Sequence, residues 1–280
     1  MRKTINDIRK LKEEGIRSTM LTAYDYTISS IIDGAGIDMI LVGDSVGNVA
    51  LGYEDTLPVT MDDMVHHCAA VSRGCKNALL VCDMPFMSYQ ASDYDAVINA
   101  GRLLKEGGAN AVKIEGGVEF EDTIRAVTRS SVPVCAHIGL TPQSVNAFGG
   151  YKVQGRSLEA AKKLIEDAKA IRRAGAFAVV LECVPAKLAE YITKEVLPDV
   201  VTIGIGAGSG CDGQVLVYAD MCGLNRGHKA KFVKEYAKLG DMLHGAVRDY
   251  ISDVQSGAYP CADFEYGIND EIMEKIREED

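Results

Sequence analysis

Residues 38–47 read DMILVGDSVG: a solid apolar run, Met39 to Val42, stops at a glycine and is followed at once by an acid. A strand with one wet face alternates apolar and polar residues. This run does not alternate, so it reads as a strand covered on both sides. The same grammar recurs in TMLTA (19–23), ALLVCD (78–83), AVKIE (111–115), PVCAHIG (133–139), AVVLEC (178–183), VVTIGIG (200–206) and VLVYAD (215–220). Helical patterns separate most of these runs. Thr60-x-x-Asp63 and Ser92-x-x-Asp95 have capping-box spacing, and Thr141-Pro142 puts proline at a first helical position. Ser157 opens LEAAKKLIEDAKAIRRAG, with Gly175 as its C-terminal cap. Buried strands alternating with helices make an α/β protein, and eight of them fit a (β/α)8 TIM barrel.

The barrel is expected over about 18–226, with a helix from Thr4-x-x-Asp7 plugging one end. A C-terminal helical extension follows over about 227–280, with a helix predicted for 229–255 ahead of an acidic tail. No internal linker interrupts the chain, so residues 1–280 read as one domain. An open doubly wound sheet fits less well. GIGAGSG (204–210) spaces its glycines as G-x-G-x-G, and it follows the seventh strand rather than the first.

Composition narrows the function classes. A net charge of −10, 6% aromatic residues and no Trp argue against a nucleic-acid partner and against anionic membranes. The eight cysteines include no C-x-x-C pair. The start, MRKTINDIRKLKEEG, is charged and amphipathic, and no stretch reaches the ~18 apolar residues of a membrane span. These features point to a cytoplasmic protein with reduced thiols.

In barrels of this kind, catalytic groups come from the C-terminal ends of the strands. Those ends carry Asp44, Asp83, Lys113 with Glu115, His137 and Glu182. Buried charge is costly unless it is paired or bound to metal, and four acids closing strands two, three, four and six exceed what turn capping explains. Alternation puts Ala111, Lys113 and Glu115 on one face and Val112 and Ile114 on the other. The charged face must look into the barrel, and the same count turns Ala178, Val180 and Glu182 inward. Asp44, Asp83 and Glu115 offer hard oxygens without Cys or His at zinc spacing, which selects Mg²⁺ or a similar ion. Lys113 suits an anionic substrate such as a carboxylate; the bland reading pairs it with Glu115 or Asp83. Glu182 is left as a proton acceptor and His137 as a polar contact to substrate. His66, His67, His228 and His244 fall in helical patterns and read as structural.

GDSVG also matches G-x-S-x-G, the nucleophile elbow of serine hydrolases. An elbow leads directly into a helix, whereas VGNVALGYEDTLPVT (46–60) carries two glycines and a proline before the cap at Thr60. No later Asp and His complete a triad. Ser45 therefore reads as a hydroxyl or N–H donor to substrate.

LVGDSVG (41–47), TLPVT (56–60), DMPFMSY (83–89), VKIEGG (112–117), HIGLTPQSVNAFGGYKVQGR (137–156), LECVP (181–185), IGIGAG (203–208) and DGQVLV (212–217) resemble, in order and spacing, the ketopantoate hydroxymethyltransferase family. The resemblance runs over about 3–265, with departures at Tyr53, Glu54 and Ser209–Cys211. It implies a Mg²⁺-dependent barrel that assembles as a homo-oligomer, typically a decamer. It also implies Asp44, Asp83 and Glu115 as metal ligands, and Asp44, Ser45, Asp83 and Lys113 as contacts to a 2-oxo acid. Glu182 would be the proton acceptor. The implied reaction transfers a hydroxymethyl group from 5,10-methylenetetrahydrofolate to 3-methyl-2-oxobutanoate through a Mg-stabilised enolate, giving 2-dehydropantoate and tetrahydrofolate in pantothenate biosynthesis. FGGYKVQG (148–155) is expected to cover the mouth. The alternative is a Mg²⁺-dependent 2-oxo-acid carbon–carbon lyase or mutase of the isocitrate lyase and phosphoenolpyruvate mutase type, against which the lack of a K-K-C-G-H-type loop weighs.

Overall fold

In the computed structural model, residues 1–225, 227 and 229–280 are described; His228 lies outside them. Strands β1 (Ser18–Thr22), β2 (Met39–Val42), β3 (Leu79–Asp83), β4 (Ala111–Glu115), β5 (Val134–Gly139), β6 (Ala178–Glu182), β7 (Val201–Ile205) and β8 (Gly213–Leu216) are all parallel. They close in chain order, β8 pairing back onto β1 with Ser18 opposite Gly213. This is the (β/α)8 barrel expected from the apolar runs.

Each face of the wall has its own core. Met20, Met39, Leu41, Leu79, Val81, Ala111, Cys135, Val180, Val201 and Ile203 fill the interior. The alternate residues Ile40, Leu80, Val112, Ile114, Ala136, Val179 and Leu181 face the helices. Those helices are capped where sequence spacing indicated. After the plug α1 (Ile5–Glu13) come α2 (Tyr26–Gly34), α3 (Met61–Gly74), α4 (Asp93–Lys105), α5 (Glu121–Arg129), the single turn α6 (Val145–Phe148) and α7 (Leu158–Arg173). Thr60 and Asp63 form a capping box on α3, while Ser92 and Ser157 cap α4 and α7. α8 (Ala186–Tyr191) and α9 (Tyr218–Met221) complete the ring.

The barrel floor is sealed by α1. Thr4 and Asp7 make a capping box, and Ile8 is fully buried against the interior cluster. Lys12 Nζ donates to the Leu197 and Val200 carbonyls and to Asp212 Oδ2, each at 2.8 Å. With the N-terminal end closed, a ligand must enter at the C-terminal ends of the strands.

Two boundaries differ from the sequence reading. The eighth strand is Gly213–Leu216, not 215–220: Tyr218 N–H donates to Thr22 Oγ1 and turns the chain into α9. The C-terminal helix α10 is Leu239–Ser256 rather than 229–255, and α11 (Asp270–Glu279) follows. The segment before α10 is pinned by the Tyr236 N–H on the Met221 carbonyl and lays the Phe232 ring against Gly206 at the mouth. That packing overrides the helical pattern of its sequence. α10 has no buried residue, and Met242, Leu243, Val247, Tyr250, Ile251 and Val254 on it are exposed.

Candidate active site

The strand ends deliver their charged side chains into one space. Asp83 closes β3, Lys113 and Glu115 alternate on β4, and Glu182 closes β6. Asp44 lies two residues beyond β2, in a turn closed by Val46 N–H to the Gly43 carbonyl at 3.0 Å. The turn is tight: a Cβ on Gly43 would stand 2.7 Å from Ser45 Oγ. The Asp44 backbone N–H reaches Asp83 Oδ2 at 3.0 Å. Asp44, Ser45, Asp83, Lys113, Glu115 and Glu182 line a cavity of about 160 Å³, whose apolar wall includes Leu41, Val180, Ile205, Val215 and Phe232. His137, inward on β5, does not line it. It sits behind, with Nδ1 3.1 Å from Glu115 Oε1 and Nε2 3.2 Å from Glu182 Oε2.

The electrostatics follow from burial and like charge. Lys113 Nζ stands 3.2 Å from Asp83 Oδ2 and 3.6 Å from Glu115 Oε1, so it makes both of the pairs considered from sequence. Burial alone would push Lys113 toward neutrality, but Asp83, Glu115 and Asp44 outweigh it and hold the ammonium charged. Asp44 goes the other way. Burial first, then the charges of Asp83 and Glu115, raise its carboxyl well above the usual range. Asp83 is also raised, chiefly by burial, against the pull of Lys113. Glu115 is lowered, because Lys113 and His137 overcome its desolvation. His137 would be lowered by burial and by Lys113; Glu115 and Glu182 reverse this and lift it to about 9. The site thus places two cations among four acids.

This donor set fits a hard cation. Asp83 Oδ1 is buried without a hydrogen-bond partner, and the mutual repulsion that raises Asp44 is what a divalent ion would relieve. Among the described residues no three or more His, Cys, Asp or Glu side chains are arranged to hold a metal ion between them as they stand. Mg²⁺ does not require a preformed protein cage, since it keeps several waters and completes its shell with substrate, so that a carboxylate can hold it directly or through water.

The family model described as ketopantoate hydroxymethyltransferase matches residues 2–262. The 3-methyl-2-oxobutanoate hydroxymethyltransferase of Clostridium novyi is 58% identical over 276 residues, covering 99% of this chain and 100% of that one. Its counterpart in Enterococcus faecalis gives the same identity and coverage, and that of Syntrophus aciditrophicus is 56% identical over 263 residues, 94% of this chain and 96% of its own. The chain belongs to the ketopantoate hydroxymethyltransferase family. It is therefore an enzyme of a hydroxymethyltransferase family. Among solved structures, a phosphonopyruvate hydrolase (15% identity, TM-score 0.60, covering 99% of this chain and 96% of that one) shares the fold. So does 2,3-dimethylmalate lyase (15% identity, TM-score 0.62, covering 95% and 89%). At such identities the likeness is one of fold.

The structure brings the residues singled out from the sequence to one end of the barrel, with one correction and three additions. A helical turn does follow the GDSVG pentapeptide at once, Gly47–Leu51, contrary to the reading of two glycines and a proline as a break. Gly52 then ends that turn in the left-handed region, as a C-terminal glycine does. What separates Ser45 from a nucleophile is its partner: Ser45 Oγ is 2.7 Å from the Tyr24 hydroxyl, while His137 engages Glu115 and Glu182. His67 is structural, its Nδ1–H donating to the Tyr24 carbonyl at 2.7 Å. Tyr24, Tyr89 and Gln143 are the additions. All three are buried polar groups at the mouth, with no charge or spacing to single them out beforehand.

In the expected lid, Gln154 N–H donates to the Cys183 carbonyl at 2.9 Å. Tyr151 lies close enough to the mouth that burial and then the charges of Asp55, Glu182, Asp44 and Glu115 raise its hydroxyl pKa.

Proposed function

We propose that this chain transfers a hydroxymethyl group from 5,10-methylenetetrahydrofolate to 3-methyl-2-oxobutanoate. The products are 2-dehydropantoate and tetrahydrofolate, which makes this the first step of pantothenate biosynthesis. The observation that carries the reading is the cavity itself. One carboxylate, Glu182, faces a cluster of three carboxylates and a lysine across a space of about 160 Å³. A small anionic carbonyl compound fits there, with one end among charges and an alkyl end against Val180, Ile205 and Phe232.

Each side chain has a distinct task. Lys113, held charged by its acids, attracts the carboxylate of the 2-oxo acid. Ser45 donates to the same group from the turn after β2. Asp44, Asp83 and Glu115 would hold Mg²⁺, which when bound supplies positive charge to the oxygen where negative charge develops. Glu182 takes the proton from C3, and His137, cationic up to about pH 9, fixes its orientation from behind the cavity wall. The carbon made nucleophilic in this way attacks the one-carbon unit that the folate carries; water then supplies the hydroxyl oxygen as the remaining carbon–nitrogen bond breaks and tetrahydrofolate leaves. The exposed apolar side of α10 supports association with further copies of the chain, a decamer in the family resemblance. Among the described residues no helix is long and apolar enough to cross a membrane.

Proton exchange tests the role of Glu182 apart from the folate half. With Mg²⁺ and 3-methyl-2-oxobutanoate in D₂O, wild-type protein should exchange the C3 proton by NMR, and Glu182→Gln should not. Exchange at the wild-type rate in Glu182→Gln removes Glu182 as the base. Carbon–carbon cleavage of the acid without folate would favour the lyase reading instead.

A further inference from the structure

Gln143 occupies the short turn Pro142–Ser144 after β5 and is 5% exposed. Its backbone N–H donates to Glu115 Oε2 at 3.0 Å. Its side-chain Nε2 donates to Asp44 Oδ2 at 2.8 Å and to the Met84 carbonyl at 2.9 Å. Its Oε1 accepts from the Tyr89 hydroxyl at 2.8 Å and from Gln90 Nε2 at 3.1 Å. Both amide protons and both lone pairs of the side chain are thereby used. The opposite amide orientation would set Oε1 against a carboxylate and a carbonyl, and Nε2 against the Gln90 donor, so the partners dictate the one observed.

Tyr89 is anchored in turn. Its ring, 1% exposed, packs edge-on against Phe120, and its single hydroxyl hydrogen is shared between Gln143 Oε1 at 2.8 Å and the Glu115 carbonyl at 3.0 Å. One residue therefore ties the turn after β2 to the segment after β3 and to the end of β4, across 99 positions of sequence in the bond to Asp44. Bonds from an amide to a carboxylate are charge-assisted and directional, the kind that orient a ligand carboxylate.

We propose that Gln143 is a positioning residue. It fixes the Asp44 and Glu115 carboxylates for a divalent cation and the 2-oxo acid, and Tyr89 sets the orientation of its amide. The inference rests on the reading of Asp44 and Glu115 as cation ligands.

Mn²⁺ binding to the metal-free protein, followed by electron paramagnetic resonance, tests this without turnover. Gln143→Met keeps the volume and removes all four side-chain bonds. It should weaken Mn²⁺ binding by roughly tenfold to a hundredfold while the protein still melts cooperatively. Tyr89→Phe, which leaves the amide in place but free to turn, should lose less, and it serves as the test variant if Gln143→Met does not fold. A folded Gln143→Met, or Tyr89→Phe in its stead, that binds Mn²⁺ like wild type overturns the proposal. Asp44→Asn separates the two layers. If it abolishes binding while Gln143→Met binds like wild type, the positioning role alone falls. If wild type binds no Mn²⁺, or Asp44→Asn binds it normally, the cation-site reading falls and this inference with it.

Discussion

Replacing Lys113 with methionine isolates the electrostatic design of the site. Methionine keeps most of the stem volume, so little cavity is created. What disappears is an ammonium 3.2 Å from Asp83 and 3.6 Å from Glu115, with all three side chains at or below 5% exposure. At an effective dielectric near 20, one such pair is worth about 5 kcal/mol. The lysine's own desolvation, several kcal/mol, is relieved at the same time, leaving a net loss of about 3–5 kcal/mol near neutral pH. The pH dependence has a definite sign. The folded pKa of Lys113 is raised, so its contribution is fully present below the unfolded lysine value and is lost only as pH rises through the folded one. In the variant, Asp83 and Glu115 lose the cation that favours their charged forms, so they take up protons in the folded state and the deficit shrinks as pH falls. Urea denaturation followed by circular dichroism, without divalent cation, at about pH 7.5 and about pH 5, measures both effects. A deficit below about 1 kcal/mol at the higher pH, or one that grows toward the lower, refutes the reasoning.

Two further substitutions probe the frame that holds the site. Asp33, 4% exposed, accepts from the N–H of Ala78 at 2.8 Å and from the N–H and Nδ2 of Asn77 at 2.9 Å each, docking α2 to the start of β3. Asp33→Ala should cost about 1–3 kcal/mol at neutral pH. Burial works against its charged form but the backbone donors of Ala78 and Asn77 prevail, so its folded pKa is depressed. The contribution is present above the unfolded carboxylate value and lost as pH falls through the folded one, so the melting curves of variant and wild type should converge in acid. Gly139, at φ +99°, carries the end of β5 past β6, and a Cβ there would stand 2.3 Å from the Glu182 carbonyl. Gly139→Ala should lower stability by about 1–3 kcal/mol and slow C3 proton exchange by displacing Glu182, which thermal unfolding and the D₂O experiment read separately.

The strands were legible because the signal is local. The run MILV announces burial on both faces, and in AVKIE the period of two decides by itself that Lys113 and Glu115 share a side. The capping boxes of α1 and α3 are equally short-range, three residues from donor to acceptor. Misplaced boundaries occur where a distant contact intervenes. Thr22 captures the Tyr218 N–H and ends the eighth strand early, and the Phe232 segment folds onto the mouth instead of extending α10. Glycines can also mislead locally: Gly47 and Gly52 begin and end a helical turn rather than preventing one.

By itself, the sequence determined which chemical groups stand at the barrel mouth, since strand period and the alternation of strand with helix are written within a few residues of each acid. The tertiary structure decided how those groups meet. His137 stands behind Glu182 rather than in the cavity wall, Ser45 pairs with Tyr24, and Gln143 bridges Asp44 and Glu115. Such contacts join residues tens of positions apart through closure of the barrel, and no periodicity along the chain records them. A neutral glutamine acquires its role only from the carboxylates that closure brings to it.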